Sequence, residues 1–148
     1  MAKPFSLQTV LDLMQVRADD ATQSLARLIA NERDAKTKLS LLQQYRDEYA
    51  TRFQQAAQNG INPREWRNYQ EFLNRLDEAI DAQRKTVAQQ EQNTVAGQQH
   101  WQQQRTKLKA FDTLSERHFA SENMQELKRE QKTQDEFAAR PNADKKNR

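Results

Sequence analysis

Gln58-Asn59-Gly60-Ile61-Asn62-Pro63-Arg64-Glu65 combines, within eight residues, the signals that end one helix and start another. Gly60 suits the left-handed backbone conformation that commonly follows a helix C-terminus. Asn62 is a predicted N-cap, Pro63 the first helical residue, and Glu65 the acid of a capping box. A connection this short places the second helix antiparallel to the first.

The residues before this turn carry a long heptad stripe. Apolar residues recur there at alternating steps of four and three, and 13 of the 15 positions are apolar. The positions are Leu7, Leu11, Met14, Ala18, Ala21, Leu25, Leu28, Glu32, Ala35, Leu39, Leu42, Arg46, Tyr49, Phe53 and Ala56. This spacing is typical of a coiled-coil seam. The helix needs a partner, because isolated helices are only marginally stable in water.

The residues after the turn carry a second stripe with a more polar middle. Its positions are Trp66, Tyr69, Leu73, Leu76, Ile80, Gln83, Val87, Gln90, Thr94, Gly97, Trp101, Gln104, Leu108, Phe111, Ser115 and His118. When Phe53 is placed opposite Tyr69, every position of the first stripe faces a position of the second. The numbers of two facing residues then always add up to the same value, as an antiparallel hairpin requires. Leu25 then meets Gly97, so that volumes match across the seam as close packing requires. The pattern predicts an all-α fold, a long antiparallel two-helix coiled coil, and leaves self-association open.

The predicted domain is a hairpin that covers residues 1–140. Its predicted parts are helix 1 at about 6–57, a turn at 58–62 and helix 2 at about 63–138. Beyond Ser121 the apolar stripe ends and most residues are charged or carry amide side chains, so we expect the second helix to fray there. Residues 141–148 form a predicted disordered basic tail, because Pro141 disfavours a continuing helix and the composition is polar.

The composition excludes several kinds of functional site. The chain has no cysteine and two glycines, so it has neither thiolate metal ligands nor a Gly-rich phosphate loop. His118 and Glu122 lie one helical turn apart, but two ligands without a third make a weak metal site. His100 has no acidic neighbour at ligand spacing. We therefore expect no enzyme activity, no cofactor and no metal.

The positive charge is poorly placed for binding nucleic acid. The isoelectric point is near 9.3, but residues 140–148 hold four positive side chains against one negative, which accounts for the whole net charge of +3. A nucleic-acid-binding protein concentrates basic residues on a folded face. No apolar run is long enough to span a bilayer. These features predict a cytoplasmic protein without a membrane span that does not bind nucleic acid.

Apolar side chains outside the seam mark two places where a partner could bind. Tyr45 and Phe72 flank the seam on the same side of the hairpin near the turn, where clustered aromatic residues are typical of a binding patch. Towards the other end, Leu13 and Val16 occupy outward positions, so the first helix is apolar nearly all round. Such a helix is typical of insertion into a surrounding structure. Ordinary packing, or self-association at the second place, explains these patterns about equally well.

The sequence resembles the FliJ family, whose members belong to the bacterial flagellar type III export apparatus. The resemblance covers nearly the whole chain. It is carried by Leu-Gln-Thr-Val-Leu-Asp-Leu at 7–13, by Gln-Tyr-Arg-Asp-Glu-Tyr at 44–49 and by Asp-Glu-Phe-Ala at 135–138. Its most specific part is Trp-Arg-Asn-Tyr-Gln-Glu-Phe at 66–72, directly after a Gly-containing turn.

The resemblance implies a coiled-coil hairpin similar to the central stalk of rotary ATPases. It also implies three partners: the hexameric ring of the export ATPase FliI, the cytoplasmic domain of the export gate protein FlhA, and export chaperones. The family's gate-contact positions match Leu42, Tyr45, Tyr49, Phe72, Leu76 and Ala79. The implied ATPase-ring positions are Leu11, Leu13, Met14, Leu108 and Phe111. Lys38 and Gln83 depart from the family pattern.

Two other functions remain open on the sequence. The chain could be an export chaperone that escorts flagellar substrates through its Gln-rich half, in which case substrates would co-purify without the ATPase. Nucleic-acid binding is disfavoured because the charges of residues 1–139 sum to zero. Tight binding of nucleic acid after removal of residues 140–148 would favour this function again. The export component implied by the resemblance is located in the cytoplasm, peripherally at the inner membrane.

Overall fold

The computed structural model describes residues 3–146, and over residues 140–146 it describes the backbone alone. Two helices account for almost all of this length: α1 spans Gln8–Gln58 and α2 spans Pro63–Lys146. No strand occurs within residues 3–146. The helices pack against each other, so the predicted all-α helical hairpin is confirmed.

The helix bounds differ from the predicted ones mainly at the C-terminal end. The sequence predicts an end near residue 138, followed by a disordered basic tail over 141–148, whereas α2 continues to Lys146. The residues after 121 are rich in Glu, Lys, Gln and Arg, which keep high helix propensity even where the apolar stripe has stopped. Residues 147 and 148 lie outside the described part of the chain.

The turn between the helices forms through the predicted signals. Gly60 has a φ of 85°, the left-handed conformation that a side chain would strain. The backbone N–H of Glu65 donates to Oδ1 of Asn62 at 2.8 Å, which makes Asn62 the N-cap of α2. Within the described residues the Glu65 carboxylate does not bond back to the Asn62 amide, so half of the predicted capping box is present.

The contacts divide the chain into two compact units. The turn unit comprises Asp20–Trp101. The terminal unit comprises the remaining residues on both sides, of which 3–19 and 102–146 are described. The sequence predicts one domain over residues 1–140, and that division stays a prediction. Each unit contains part of both helices.

Aromatic rings fill the seam of the turn unit next to the turn. Phe53 packs on Tyr69 with ring centroids 5.3 Å apart and on Trp66 at 6.2 Å. Tyr49 packs on Tyr69 at 5.3 Å and on Phe72 at 4.3 Å. All four pairs are tilted, a favourable geometry for aromatic contacts. The contact of Phe53 with Tyr69 confirms the predicted register at this end.

Farther from the turn, the helices of the turn unit approach closely at Gly97. A Cβ atom placed on Gly97 would clash with Cδ1 of Leu28 and would lie 3.8 Å from Cδ1 of Leu25. Gly97 therefore lies against both leucines with Leu28 the nearer, whereas the register pairs it with Leu25. Polar groups in this part of the seam bond across it: Gln83 Nε2 donates to the Ala35 carbonyl at 3.0 Å.

The seam of the terminal unit contains small and polar side chains beside a few apolar ones. Met14, Ala18 and Phe5 are buried. Phe5 packs on His118 with ring centroids 5.5 Å apart, and His118 Nε2 lies 2.8 Å from the Lys3 carbonyl oxygen. The segment before α1 is thus fixed to α2, so the packing of this unit begins before the first helix does.

Gln104 generates a prediction about stability. It is buried in the terminal unit, and its Oε1 has no hydrogen-bond partner among the residues that the structure describes. Gln104→Leu removes this unpaired polar atom, and we expect the free energy of unfolding to rise by about 1–2 kcal/mol. Gln83→Leu is the control, because it also loses the bond to the Ala35 carbonyl and should gain less. Urea unfolding followed by circular dichroism measures both, and an equal gain would contradict the role assigned to the unpaired oxygen.

Candidate protein-binding surfaces

An aromatic flank lies on one side of the turn unit. Its two most prominent side chains are Tyr45, which is 60% exposed, and Phe72, which is 42% exposed. They border a shallow groove of about 390 Å³ between the helices. The residues that line this groove are Tyr45, Glu48, Tyr49, Arg52, Phe72 and Leu76. We use the name aromatic flank for these six residues.

The heptad pattern explains why these rings are exposed. Tyr45 precedes a seam position and Phe72 precedes another, so each ring stands beside the seam. Tyr49 lies in the seam and packs against Phe72 at 4.3 Å, which holds the Phe72 ring in place. Two helices have no third helix to cover this side, and the outer faces of both rings therefore remain accessible.

The six residues that the resemblance assigns to gate contact all lie in the turn unit. Tyr45 and Phe72 are exposed, while the other four are half-buried: Leu42, Tyr49, Leu76 and Ala79. Four of the six line the groove described above. Exposed rings on a half-buried apolar base are a usual arrangement for a protein-binding patch.

The sequence did not identify three further residues of this surface. Leu41 is exposed four residues before Tyr45, so it continues the same face of α1. Glu48 and Arg52 line the groove and add one charge of each sign to its edge. The spacing of Leu41 from Tyr45 is the signal that would have found it. Arg52 follows Tyr45 by one heptad and so has a signal of the same kind, whereas Glu48 has none, since charges at outward helix positions are ordinary.

The five residues that the resemblance assigns to the ATPase ring lie in the terminal unit. Leu13 is 45% exposed, and Val16 beside it is also exposed, as the sequence predicts. Met14 is only 7% exposed and belongs to the seam. Leu11, Leu108 and Phe111 are half-buried. Of the five, Leu13 therefore offers a partner the most apolar surface.

The two histidines have different surroundings. His100 is exposed. His118 is half-buried, packs against Phe5 and Phe119, and lies beside the Lys3 carbonyl oxygen. Among the described residues, no group of three or more histidine, aspartate or glutamate side chains is arranged to hold a metal ion. His118 is thus part of the packing of the terminal unit.

Comparison with known proteins points to one family. The family profile described as Flagellar FliJ protein matches residues 3–147. A relative from Salmonella typhi named Flagellar FliJ protein is 32% identical over 140 residues, which cover 95% of each chain. A protein of the same name from Escherichia coli strain K12 is 31% identical over the same share of both chains. No helix within residues 3–146 has the length and apolar character needed to cross a membrane.

The aromatic flank generates a prediction that separates binding from folding. Tyr45→Ala should change the free energy of unfolding by about 0.5 kcal/mol or less, because its side chain is mostly in water. Tyr49→Ala should cost about 2–4 kcal/mol, because Tyr49 contacts both Tyr69 and Phe72. Thermal unfolding of both variants tests this difference. A large cost for Tyr45→Ala would show that its ring supports the fold.

Proposed function

The chain belongs to the Flagellar FliJ protein family, and on this basis we propose that it is a non-enzymatic component of the flagellar type III protein export apparatus. In this proposal it inserts into the ring of the export ATPase FliI, promotes assembly and activity of the ring, and couples it to the export gate protein FlhA. It works in the cytoplasm, peripherally at the inner membrane. The observation that carries the proposal is the exposed aromatic flank of the turn unit.

The aromatic flank is proposed as the gate-binding surface. Its centre is apolar, and tyrosine is among the residue types that most often dominate binding energy. Burying Tyr45 and Phe72 beneath a partner removes apolar area from water, at about 25 cal/mol per Å². The rings cost little entropy to fix, because Phe72 already packs on Tyr49. This surface is therefore suited to binding a protein without a large rearrangement.

The apolar side chains of the terminal unit are proposed as the ATPase-binding surface. Leu13, Val16 and Leu114 are exposed there, close to the half-buried Leu11 and Leu108. Exposed leucines and valines at several helix positions favour a partner that surrounds this part of the chain. The contact would regulate catalysis that takes place on the partner, since this chain supplies surface and no reacting group in the proposal.

A second candidate function is an export chaperone, because the last part of α2 is also apolar in places. Met124, Leu127 and Phe137 are exposed along it, and Phe137 is 73% exposed. These side chains could contact unfolded flagellar substrates or substrate-free export chaperones. Co-purification of export substrates in the absence of the ATPase would favour this function over the coupling role.

The gate-binding proposal predicts the effect of a double substitution. Replacing both Tyr45 and Phe72 with alanine should weaken binding to the gate protein at least tenfold and abolish motility, while helicity is retained. The control is Ile29→Ala, which truncates an exposed apolar side chain elsewhere in the turn unit. Calorimetry with the purified cytoplasmic domain of the gate measures the affinities. An unchanged affinity of the double variant would show that the gate binds elsewhere.

The ATPase-binding proposal predicts a separate effect for the terminal unit. Leu13→Asp places a charge on the exposed apolar surface, and we expect it to reduce stimulation of the export ATPase more than gate binding. Gln23→Asp is the control, because it introduces the same carboxylate at an exposed position of the turn unit. ATP hydrolysis by the purified ATPase, with and without each variant, gives the measurement. Equal loss of both activities would indicate unfolding instead of a local contact.

A further inference from the structure

Charge is distributed unevenly between the two sides of the seam in the terminal unit. On one side, over residues 7–19 and 103–121, the heptad positions beside the seam and the next positions outward carry three basic residues, three large apolar residues and no acid; the remaining ones are Gln103, Ala110 and Ser121. The members of this basic flank are Val10, Leu13, Arg17, Lys107, Leu114 and Arg117. Val10 is half-buried and the other five are exposed. The positions recur three, four or seven residues apart on each helix, as neighbours on one helical face do.

The opposite side of the same unit has a different character. A shallow groove there is lined by residues of both helices: Leu11, Asp12, Gln15, Arg105, Thr106, Leu108, Lys109 and Asp112. Two acids thus stand near Arg105 and Lys109. The basic flank has three cations and no acid; the next acid along this face of α1 is Asp20, three residues after Arg17 and in the turn unit. Lys107 and Lys109 are two residues apart in the chain and lie on different sides of the seam.

The predicted register places two of the cations opposite each other across the hairpin. In an antiparallel hairpin the numbers of facing residues add up to a constant value. The register that places Val10 opposite Leu114 therefore also places Arg17 opposite Lys107. Like charges opposite one another destabilise a packed pair of helices. Within the described residues, Arg17, Lys107 and Arg117 form no ion pair or hydrogen bond. The arrangement therefore contributes nothing favourable to the isolated hairpin.

We propose that the basic flank docks onto a protein surface on which carboxylates surround an apolar patch. Leu13, Leu114 and the edge of Val10 would cover the apolar patch, and the three cations would pair with the carboxylates. The partner's negative charge would relieve the repulsion between Arg17 and Lys107, so the complementarity is specific to this side. The inference rests on the proposed function, in which this partner is the export ATPase ring. It adds that one side of the terminal unit makes the charged contact.

A matched pair of charge reversals tests the proposal in the full-length chain. Lys107→Glu places an acid opposite Arg17, so we expect the melting temperature to rise by roughly 1–3 °C. The same substitution should weaken binding to the purified export ATPase at least tenfold, because it sets like charges against each other at the interface. Lys109→Glu adds an acid beside Asp12 and Asp112, so it should lower the melting temperature slightly and weaken binding to the ATPase much less than Lys107→Glu does.

Calorimetric titration at low and at physiological salt completes the test. Binding of the unaltered chain should weaken as salt increases, and the loss caused by Lys107→Glu should shrink with it. An equal loss of affinity for Lys107→Glu and Lys109→Glu would overturn the assignment of the side. The choice of a protein partner would be overturned by two results together. The chain would bind anionic vesicles or duplex DNA through Lys107 at physiological salt, and Lys107→Glu would leave ATPase binding unchanged. If the unaltered chain binds the gate protein but not the ATPase, the part of the proposed function that concerns the ATPase is wrong.

Discussion

Burial along a single seam is the constraint on which this structure depends. Helices as long as α1 and α2 bury one narrow face in each other, and the rest of each surface stays in water. Among the described residues no large side chain is fully buried, which shows how thin the core is. Such a core has no room for an enclosed pocket lined by converging polar groups. The candidate binding surfaces therefore lie on the outer faces.

The seam is not uniform, and the differences follow from the residues that fill it. Next to the turn, four aromatic contacts join the helices through Tyr49, Phe53 and their partners. Farther from the turn the seam contains more small and amide side chains, although Phe5 and His118 still pack on each other in the terminal unit. Gln90, Gln104 and Glu122 each have a buried oxygen without a partner among the described residues. Unpaired buried oxygens cost roughly 1–3 kcal/mol each, so the turn-proximal packing holds the hairpin more firmly.

The sequence predicts those features that depend on local chemistry or on periodicity. The left-handed Gly60, the N-cap Asn62 and the pairing of Phe53 with Tyr69 are all confirmed. The packing of Phe5 on His118 was missed, because Phe5 precedes the helix and no period connects it to the stripe. The groove edge at Glu48 was missed for a related reason: a groove forms where two helices meet, and a pattern along one helix does not define it.

In the proposed contact, the unpaired cations of the terminal unit exchange a little stability of the hairpin for specific binding. A like-charge pair at the flank of two helices costs about 0.2–1 kcal/mol, which is small beside the total stability of a folded domain. Across an interface, where the same charges meet carboxylates and lose water, each pair contributes more and also excludes wrongly charged partners. A folded chain selected for stability alone would place an acid opposite Arg17, as Asp77 stands 3.0 Å from Arg46 in the turn unit. In the proposed contact, carboxylates of the partner would offset the repulsion between Arg17 and Lys107.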